Sequence, residues 1–511
     1  MSADPAPPPA IEPMTEVTLA AAAPSADELR KSKLPLPLVA AYGTGTIVDG
    51  VVSGSLGLYL FFYVTQVCGL SNSLAGLSVF LGLIIDSMVD PIVGSISDNT
   101  QSKLGRRHPF MFGAAVPLAI LLGVIFTIPA GLSGWGLFAF VTGVTLLLRI
   151  CHSFFNLPYI ALGAELSDDY DERTVVVGSR FLASPVGVVA PIALGTATIL
   201  FGARAAVRAN YVPMGWSLAA IVIVVAAITS FGTLPALKRL HQVKPREGSA
   251  VGRVLVDVAE IFRNRSFISL FACLILIFTA AGVASVLGLH ALKFFWAVPP
   301  AVIPAVQLAP IAGILIGSIV SLRFIPRLEK RTVVTVGLVL FAILQAWLPL
   351  LRIAGVLPPN GPLVYGLLMA NAALTVFVTT GVSIAFQSAM ADAADEHEFH
   401  FGTRREGLYF AGLNFSVKAA FGVGSLIAGV GLDLIHFPTA IASHPDALKH
   451  MSAGTIRNLG LLYGPGPALI TVVSVLIFIT YRLTKAEHAV MQAELTARRA
   501  GAGAAQPGLP S

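Results

Sequence analysis

The chain has 511 residues, 55% of them hydrophobic and only 12% charged, with a mean hydropathy of +0.81. A soluble domain carries about 25% charged residues, so composition excludes an ordinary water-soluble enzyme. The net charge of +6 reads as cationic loops between membrane spans rather than as a nucleic-acid surface.

The first 33 residues are rich in Ala and Pro and lack a basic stretch followed by an apolar core, so they do not read as a signal peptide. Residues 1–35 are expected to be a disordered cytoplasmic tail. A spanning helix needs about 20 apolar residues. On that measure twelve spans are predicted, at 38–64, 73–97, 109–129, 134–163, 180–201, 213–236, 267–295, 300–325, 331–352, 361–390, 408–435 and 464–484. They divide into an all-α six-helix bundle over 36–237, a cytoplasmic central loop over 238–266, and a second six-helix bundle over 267–485. Within the loop, VGRVLVDVAEIF has helical apolar spacing and predicts an amphipathic surface helix. Residues 486–511 form a cytoplasmic C-terminal tail that begins with a few helical turns.

With both termini in the cytoplasm, 25 of the 33 Lys and Arg fall on that side. This is the bias expected of a multi-pass protein of the inner, or plasma, membrane. Cys68, Cys151 and Cys273 lie in or beside apolar runs without metal-ligand spacing, and their odd number argues against a disulfide framework.

The second span is the most informative. Asp86 and Asp90 are four apart and share one helix face inside an apolar run. Each costs at least ~2.5 kcal/mol at membrane depth unless it meets a partner, a cavity or an ion. The basic loop that follows carries Asp98, Lys103, Arg106 and Arg107. Further intramembrane ionisable residues are Asp49 in span one, Arg149 and His152 in span four, and Lys418 in span eleven. Lys418 lies eleven residues past Gly407, about 16 Å along a helix, too deep for easy snorkelling. His290 and Lys293 close span seven; a packed histidine is the simpler reading of His290, a proton relay the alternative. A carboxylate pair with a buried lysine points to ion-coupled transport.

An internal repeat supports two parallel halves. Asp168, Asp171, Glu172, Gly178 and Arg180 recur as Asp392, Asp395, Glu396, Gly402 and Arg404, each pair 224 residues apart. Parallel six-span repeats are the plan of the major facilitator superfamily, whose sites lie near the midplane between the halves. Asp98, Arg106 and Arg107, and Asp392 with Arg404 and Arg405, are read as cytoplasmic gate pairs, against a background role in topology alone.

Several motifs together resemble one family. Asp86-x-x-x-Asp90-Pro91, Gly105-Arg106-Arg107-x-Pro109, AYGTGT around Tyr42, NLPYIALGAELSDDYDERT from Asn156 and ADAADEHEFHFGTRREGLYFAGLNFSVKAAFG from Ala391 resemble the glycoside–pentoside–hexuronide:cation symporters, the melibiose permease family. The resemblance covers roughly residues 35–435. It implies a cation site at Asp86 and Asp90 with the Ser153 hydroxyl, a coupling role for Lys418, and a substrate site near Arg180, Asn156 and Asp49, with Arg149 as a pairing or binding residue. Na+ at Asp86 and Asp90, or H+, is the implied coupling cation.

The chain departs from melibiose carriers at four places. Val89 stands where they have an Asn, so one ligand oxygen is missing. Hard cations want several oxygens, and a proton needs only a carboxylate. Asn156 replaces the sugar-binding carboxylate, Ile160 an aromatic, and Asp49 comes one place early with Gly50 at the matching position. The expected function is cation-coupled symport of a sugar or glycoside-like solute by alternating access. The alternatives are a lysolipid or amphiphile symporter on the same scaffold and a sensor that has lost turnover. No P-loop or other enzyme signature is present. No cofactor and no nucleic-acid partner are expected; the partners are a small solute and membrane lipid, and the chain is expected to act as a monomer.

Overall fold

The structure is a computed structural model and describes residues 33–167, 169–200, 207–238, 264–401, 406–441, 451–481 and 484–504. The expected N-terminal tail, the central surface helix, Asp168, Arg404 and Arg405 lie outside these residues or nearly so. Among the described residues twelve helices are long and apolar enough to cross a membrane. They are α1 Leu36–Leu60, α2 Asn72–Asn99, α3 His108–Ile125, α4 Gly134–Glu165, α5 Glu172–Thr198, α6 Arg208–Leu237, α7 Ser266–Phe295, α8 Ile303–Phe324, α9 Lys330–Ile353, α10 Pro362–Phe401, α11 Gly412–Leu434 and α12 Ala453–Phe478. A polar helix, α13 Lys485–Ala504, follows. In lipid a backbone must satisfy its own hydrogen bonds, and runs of this length and hydropathy do so only as helices.

Starts and stops follow local chemistry. Asp169 caps the helix entering α5 by accepting from the Glu172 amide, and Asn264 caps α7 by accepting from the Ser266 and Phe267 amides. Three predicted spans differ. Span five was expected over 180–201, with Asp171, Glu172 and Gly178 in the loop before it; its helix instead begins at Tyr170 and includes them. Span ten was expected to stop at 390, with Asp392, Asp395 and Glu396 in a loop. Helix α10 instead runs to Phe401, because ADAADEHEFHF is rich in Ala, Glu and Asp and contains no breaker before Gly402. Span twelve was expected over 464–484. Its helix begins at Ala453, capped by Ser452, bends at Gly464–Pro465 and ends at Phe478.

Helices α1–α6 and α7–α12 form two halves. They meet chiefly along α2 and α11, with smaller contacts of α1 on α7 and α5 on α8. The α2–α11 seam is close because glycines line it. A Cβ on Gly429 would stand 2.3 Å from the Asn72 carbonyl oxygen, and one on Gly76 2.7 Å from that of Ser425.

At the end of the bundle opposite the basic loops the halves are bonded together. Asp433, in the last turn of α11, accepts from the Ser73 amide at 2.8 Å, from the Ser73 hydroxyl, and from Asn72 Nδ2 at 2.9 Å. Thus α2 has its N-terminus capped by a carboxylate from the other half, a favourable use of the helix dipole. Gln66 donates to the Pro438 carbonyl, and the Ala440 amide to that of Thr65.

At the basic end the ion pairs among the described gate residues, Asp98, Arg106, Arg107 and Asp392, lie within each half or with α13. Arg107 meets Asp98 at 2.5 Å and Glu165 at 2.7 Å, and Arg106 meets Glu165 at 2.8 Å. Asp392 meets Lys330 at 2.6 Å and His488 of α13 at 3.5 Å. The molecule is therefore latched across its halves at the end opposite the basic loops, by Asp433, Gln66 and Ala440.

Candidate functional site

Where the α2–α11 seam passes the bundle's middle, glycine gives way to charge. Asp86 is 1% exposed and Asp90 partly covered. Their spacing of four puts both on the α2 face toward α4 and α11. From α4, Ser153 brings its Oγ within 2.8 Å of Asp86 Oδ1 and 2.7 Å of Asp90 Oδ1. From α11, across the interface, Lys418 Nζ lies 2.9 Å from Asp86 Oδ2 and 2.5 Å from Asp90 Oδ2. Arg149, one turn before Ser153, reaches Asp86 Oδ2 at 3.4 Å and leaves its Nε without a partner. The four predicted residues Asp86, Asp90, Ser153 and Lys418 thus form one cluster, and Arg149 joins it.

The charges in the cluster balance, two carboxylates against Lys418 and Arg149. Such an arrangement tolerates burial. The Ser153 contacts carry further information. A hydroxyl has one hydrogen and donates to one acceptor. Oγ therefore donates to one carboxylate at a time and stands within contact distance of the other.

The other predicted binding residues lie in the first half. Asp49 Oδ1 is 3.2 Å from His152 Nε2 and 3.3 Å from the Ser53 hydroxyl. His152 shares α4 with Arg149 and Ser153, so Asp49 stands one residue's breadth from the charge cluster. Arg180 sits with its guanidinium carbon 5.4 Å from the centre of the Tyr159 ring, which in turn packs on Tyr42 at 4.9 Å. Asn156 is half-buried on α4, one turn past His152. His290 is fully buried among Phe61, Phe62, Phe294 and Phe437, with Nε2 3.4 Å from the Thr65 hydroxyl.

A cavity of about 760 Å³ opens beside this cluster and is walled by α7 to α12. Asn371, Thr375, Thr379, Ser383 and Gln387 of α10 line it at every fourth residue, with Asn414 of α11 and Gln345 of α9. Its other walls are apolar and aromatic, including Phe278, Phe341, Phe386 and Trp296.

The MFS/sugar transport protein family model matches residues 41–485. The chain belongs to that family. Several relatives agree along most of the length. An uncharacterized symporter of Synechocystis is 24% identical, over 92% of this chain and 98% of its own. The putative glycoside/cation symporter YagG of Escherichia coli is 22% identical, over 91% and 96%. The isoprimeverose transporter of Lactiplantibacillus pentosus is 22% identical, over 84% and 86%. Among solved structures, the nucleoside transporter NupG superposes with a TM-score of 0.60 at 14% identity, covering 88% of this chain and 99% of NupG. That match concerns the fold alone, and the fold is the twelve-helix, two-half plan expected from the repeat. A multi-pass membrane transporter of this family is not an enzyme.

Four features escaped the sequence reading: the cross-half cap by Asp433, the Glu165 acceptor for both loop arginines, the Lys330–Asp392 pair and the polar stripe of α10. Asp433 had a legible signal. An acid in a helix's last turn opposes its own dipole, which marks it for a partner elsewhere.

Proposed function

We propose that the chain is a proton-coupled symporter of an uncharged sugar or glycoside, working by alternating access. The observation that carries the reading is the pairing of Lys418 from one half with both Asp86 and Asp90 from the other, bridged by Ser153. A cation held there competes with Lys418 for the carboxylates. Its arrival frees the lysine, and the halves are no longer tied at that point. A proton, which needs only a carboxylate, is favoured as the coupling ion. Val89 adds to this by offering no oxygen beside Asp90. Substrate then docks near Lys418, with Asn156, Asp49 and Arg180 on the first half, while Asp98, Arg106, Arg107, Asp392, Arg404 and Arg405 close the basic, cytoplasmic end in the opposite state. The relatives named as a glycoside/cation symporter and an isoprimeverose transporter support a saccharide cargo.

Uptake of radiolabelled glycosides into proteoliposomes, driven by an imposed pH gradient with and without sodium, tests the reading. Accumulation that follows the pH gradient and ignores sodium is expected. Asp90→Asn removes one proton site and should abolish accumulation while the folded carrier remains in the membrane. Full accumulation by that variant, or strict sodium dependence of the wild type, overturns the proton assignment.

A further inference from the structure

Two cations face the carboxylate pair, and they differ in origin. Lys418 comes from the opposite half, while Arg149 shares the first half with Asp86. Arg149 stands fifteen residues from the Gly134 end of α4 and sixteen from the Glu165 end, about 22–24 Å from either at helical rise. A side chain cannot snorkel over that distance, and a guanidinium keeps its proton inside a protein. The positive charge is therefore permanent and fixed at the depth of Asp86. Its seat is built on α2. Gly82 lies one turn before Asp86, and a Cβ there would stand 3.3 Å from Arg149 Nε and 3.4 Å from its Cδ.

The charge count turns on this residue. With Lys418 seated, two carboxylates face two cations. With Lys418 withdrawn, Arg149 leaves one negative charge uncompensated; without Arg149 there would be two. Asp49 of α1 does not alter the count, being engaged by His152 and Ser53. The carboxylates are also unequal. Asp86 is 1% exposed and keeps Arg149 at 3.4 Å, whereas Asp90, among the described ion pairs, meets Lys418 alone. Hard cations want several oxygens, and Ser153 Oγ already gathers them, 2.8 Å from Asp86 Oδ1 and 2.7 Å from Asp90 Oδ1. A metal ion entering that set has to share Asp86 with a guanidinium and lie beside a like charge. A proton needs one oxygen and can take Asp90.

We propose that Arg149 sets the ion selectivity of the coupling centre: it fills the place of a second cation at Asp86 and so excludes sodium from an oxygen set that otherwise holds it. The inference rests on the reading of the chain as a proton-coupled carrier and names the residue that makes it one. Because Arg149 and Asp86 belong to the same half, the exclusion persists whichever way the halves rock. Taking away the guanidinium charge turns Asp86, Asp90 and Ser153 into a site for a monovalent metal ion.

The test uses the full-length carrier in lipid nanodiscs for binding and in proteoliposomes for uptake. The probe is sodium chloride, with choline chloride holding the ionic strength constant. Arg149→Gln keeps an amide at Asp86 and loses the charge. It should bind sodium at least tenfold tighter than the wild type by titration calorimetry, and a sodium gradient at fixed pH should drive its uptake. Arg149→Lys keeps the charge and should bind sodium as weakly as the wild type; an arginine needed only for packing predicts no such division between the two. Asp86→Asn/Arg149→Gln should lose the sodium gain, since the charge count returns to that of the wild type. Gly82→Ala crowds the seat of Arg149 without removing a charged group. It should raise sodium affinity about threefold, and it carries the test if Arg149→Gln fails to fold, unchanged affinity then overturning the inference. Sodium binding by Arg149→Gln no tighter than by the wild type, or equally tight in Arg149→Lys, overturns the selectivity assignment; accumulation that still follows the pH gradient in the wild type leaves the proton-coupled reading standing. Sodium-dependent accumulation by the wild type overturns that reading and this inference together.

Discussion

Replacing Lys418 with Ala is the most direct probe of the coupling centre. Its ammonium lies 2.9 Å from Asp86 and 2.5 Å from Asp90, so those carboxylate oxygens are held close together around one positive charge. Removing one partner of a buried ion pair costs about 3–5 kcal/mol, because it strands the other. At a separation of roughly 5 Å and an effective dielectric constant of about 20, two like charges repel by about 3 kcal/mol. Arg149, at 3.4 Å and on Asp86 alone, offsets part of that. The variant relieves the rest by keeping one carboxyl protonated throughout its cycle. A carrier that never releases its proton cannot couple solute to a gradient.

The expected result is therefore specific. Lys418→Ala in proteoliposomes loses accumulation against a gradient and retains downhill exchange. Its denaturation midpoint falls, and adding Asp90→Asn recovers most of the loss in stability without restoring accumulation. The double-mutant cycle should give a coupling energy above about 1 kcal/mol; independent sites add within about 0.5 kcal/mol. Accumulation at the wild-type level by Lys418→Ala, or strict additivity in the cycle, refutes the assignment of Lys418 as the cross-half counter-ion.

Two further outcomes follow from the same geometry. Val89→Asn adds an oxygen beside Asp90 and should make uptake respond to sodium; uptake still indifferent to sodium would remove Val89 as the source of proton preference. Asp433→Ala deletes a charged acceptor of three hydrogen bonds, each worth about 1.5–3 kcal/mol, and should open the end opposite the basic loops. Cys68 reports this: it is 6% exposed, and burial pushes its thiol up to about 11, so it is unreactive at neutral pH while the latch holds. In a Cys151→Ser/Cys273→Ser background, Asp433→Ala should raise Cys68 labelling by an impermeant maleimide at least tenfold, and unchanged labelling refutes the latch.

The fold was legible because its physics is local. Twelve apolar runs of spanning length, basic loops and a repeat at constant offset each need only neighbouring residues to be read. The carboxylate pair on α2 and the deep lysine on α11 were also legible, since a charge inside an apolar run announces its own cost. What joins them was less so. That Ser153 stands between the two carboxylates came from family resemblance, because a lone Ser in a helix carries no signal. The cross-half cap at Asp433 depends on where α2 begins in space relative to the end of α11. The α10 stripe could have been seen, as Asn371, Thr375, Thr379, Ser383 and Gln387 keep a strict spacing of four. Its neutrality hid it, for a Ser or Thr in an apolar helix can bond its own backbone, as Thr379 does the Val376 carbonyl.

The placement of these features suggests why α2 and α11 form the closest cross-half seam. The latch and the coupling centre lie on the same two helices. Asn72 and Asp90 are eighteen residues apart on α2, and Lys418 and Asp433 fifteen apart on α11, so the two devices stand about 22–27 Å from each other. Between them glycines bring the helices close: Gly76 and Gly429 meet backbone atoms, and Gly422 packs on Phe80 and Leu83. Small residues along a seam leave fewer side chains for a rolling motion to disengage. Freeing Lys418 then removes one of the ties that hold α2 against α11, and the Asp433 cap becomes the main remaining one. On the proposed function, the coupling ion does not push the halves apart. It lowers the number of bonds that a rolling motion must break, and the strength of the cap sets how readily the carrier turns over.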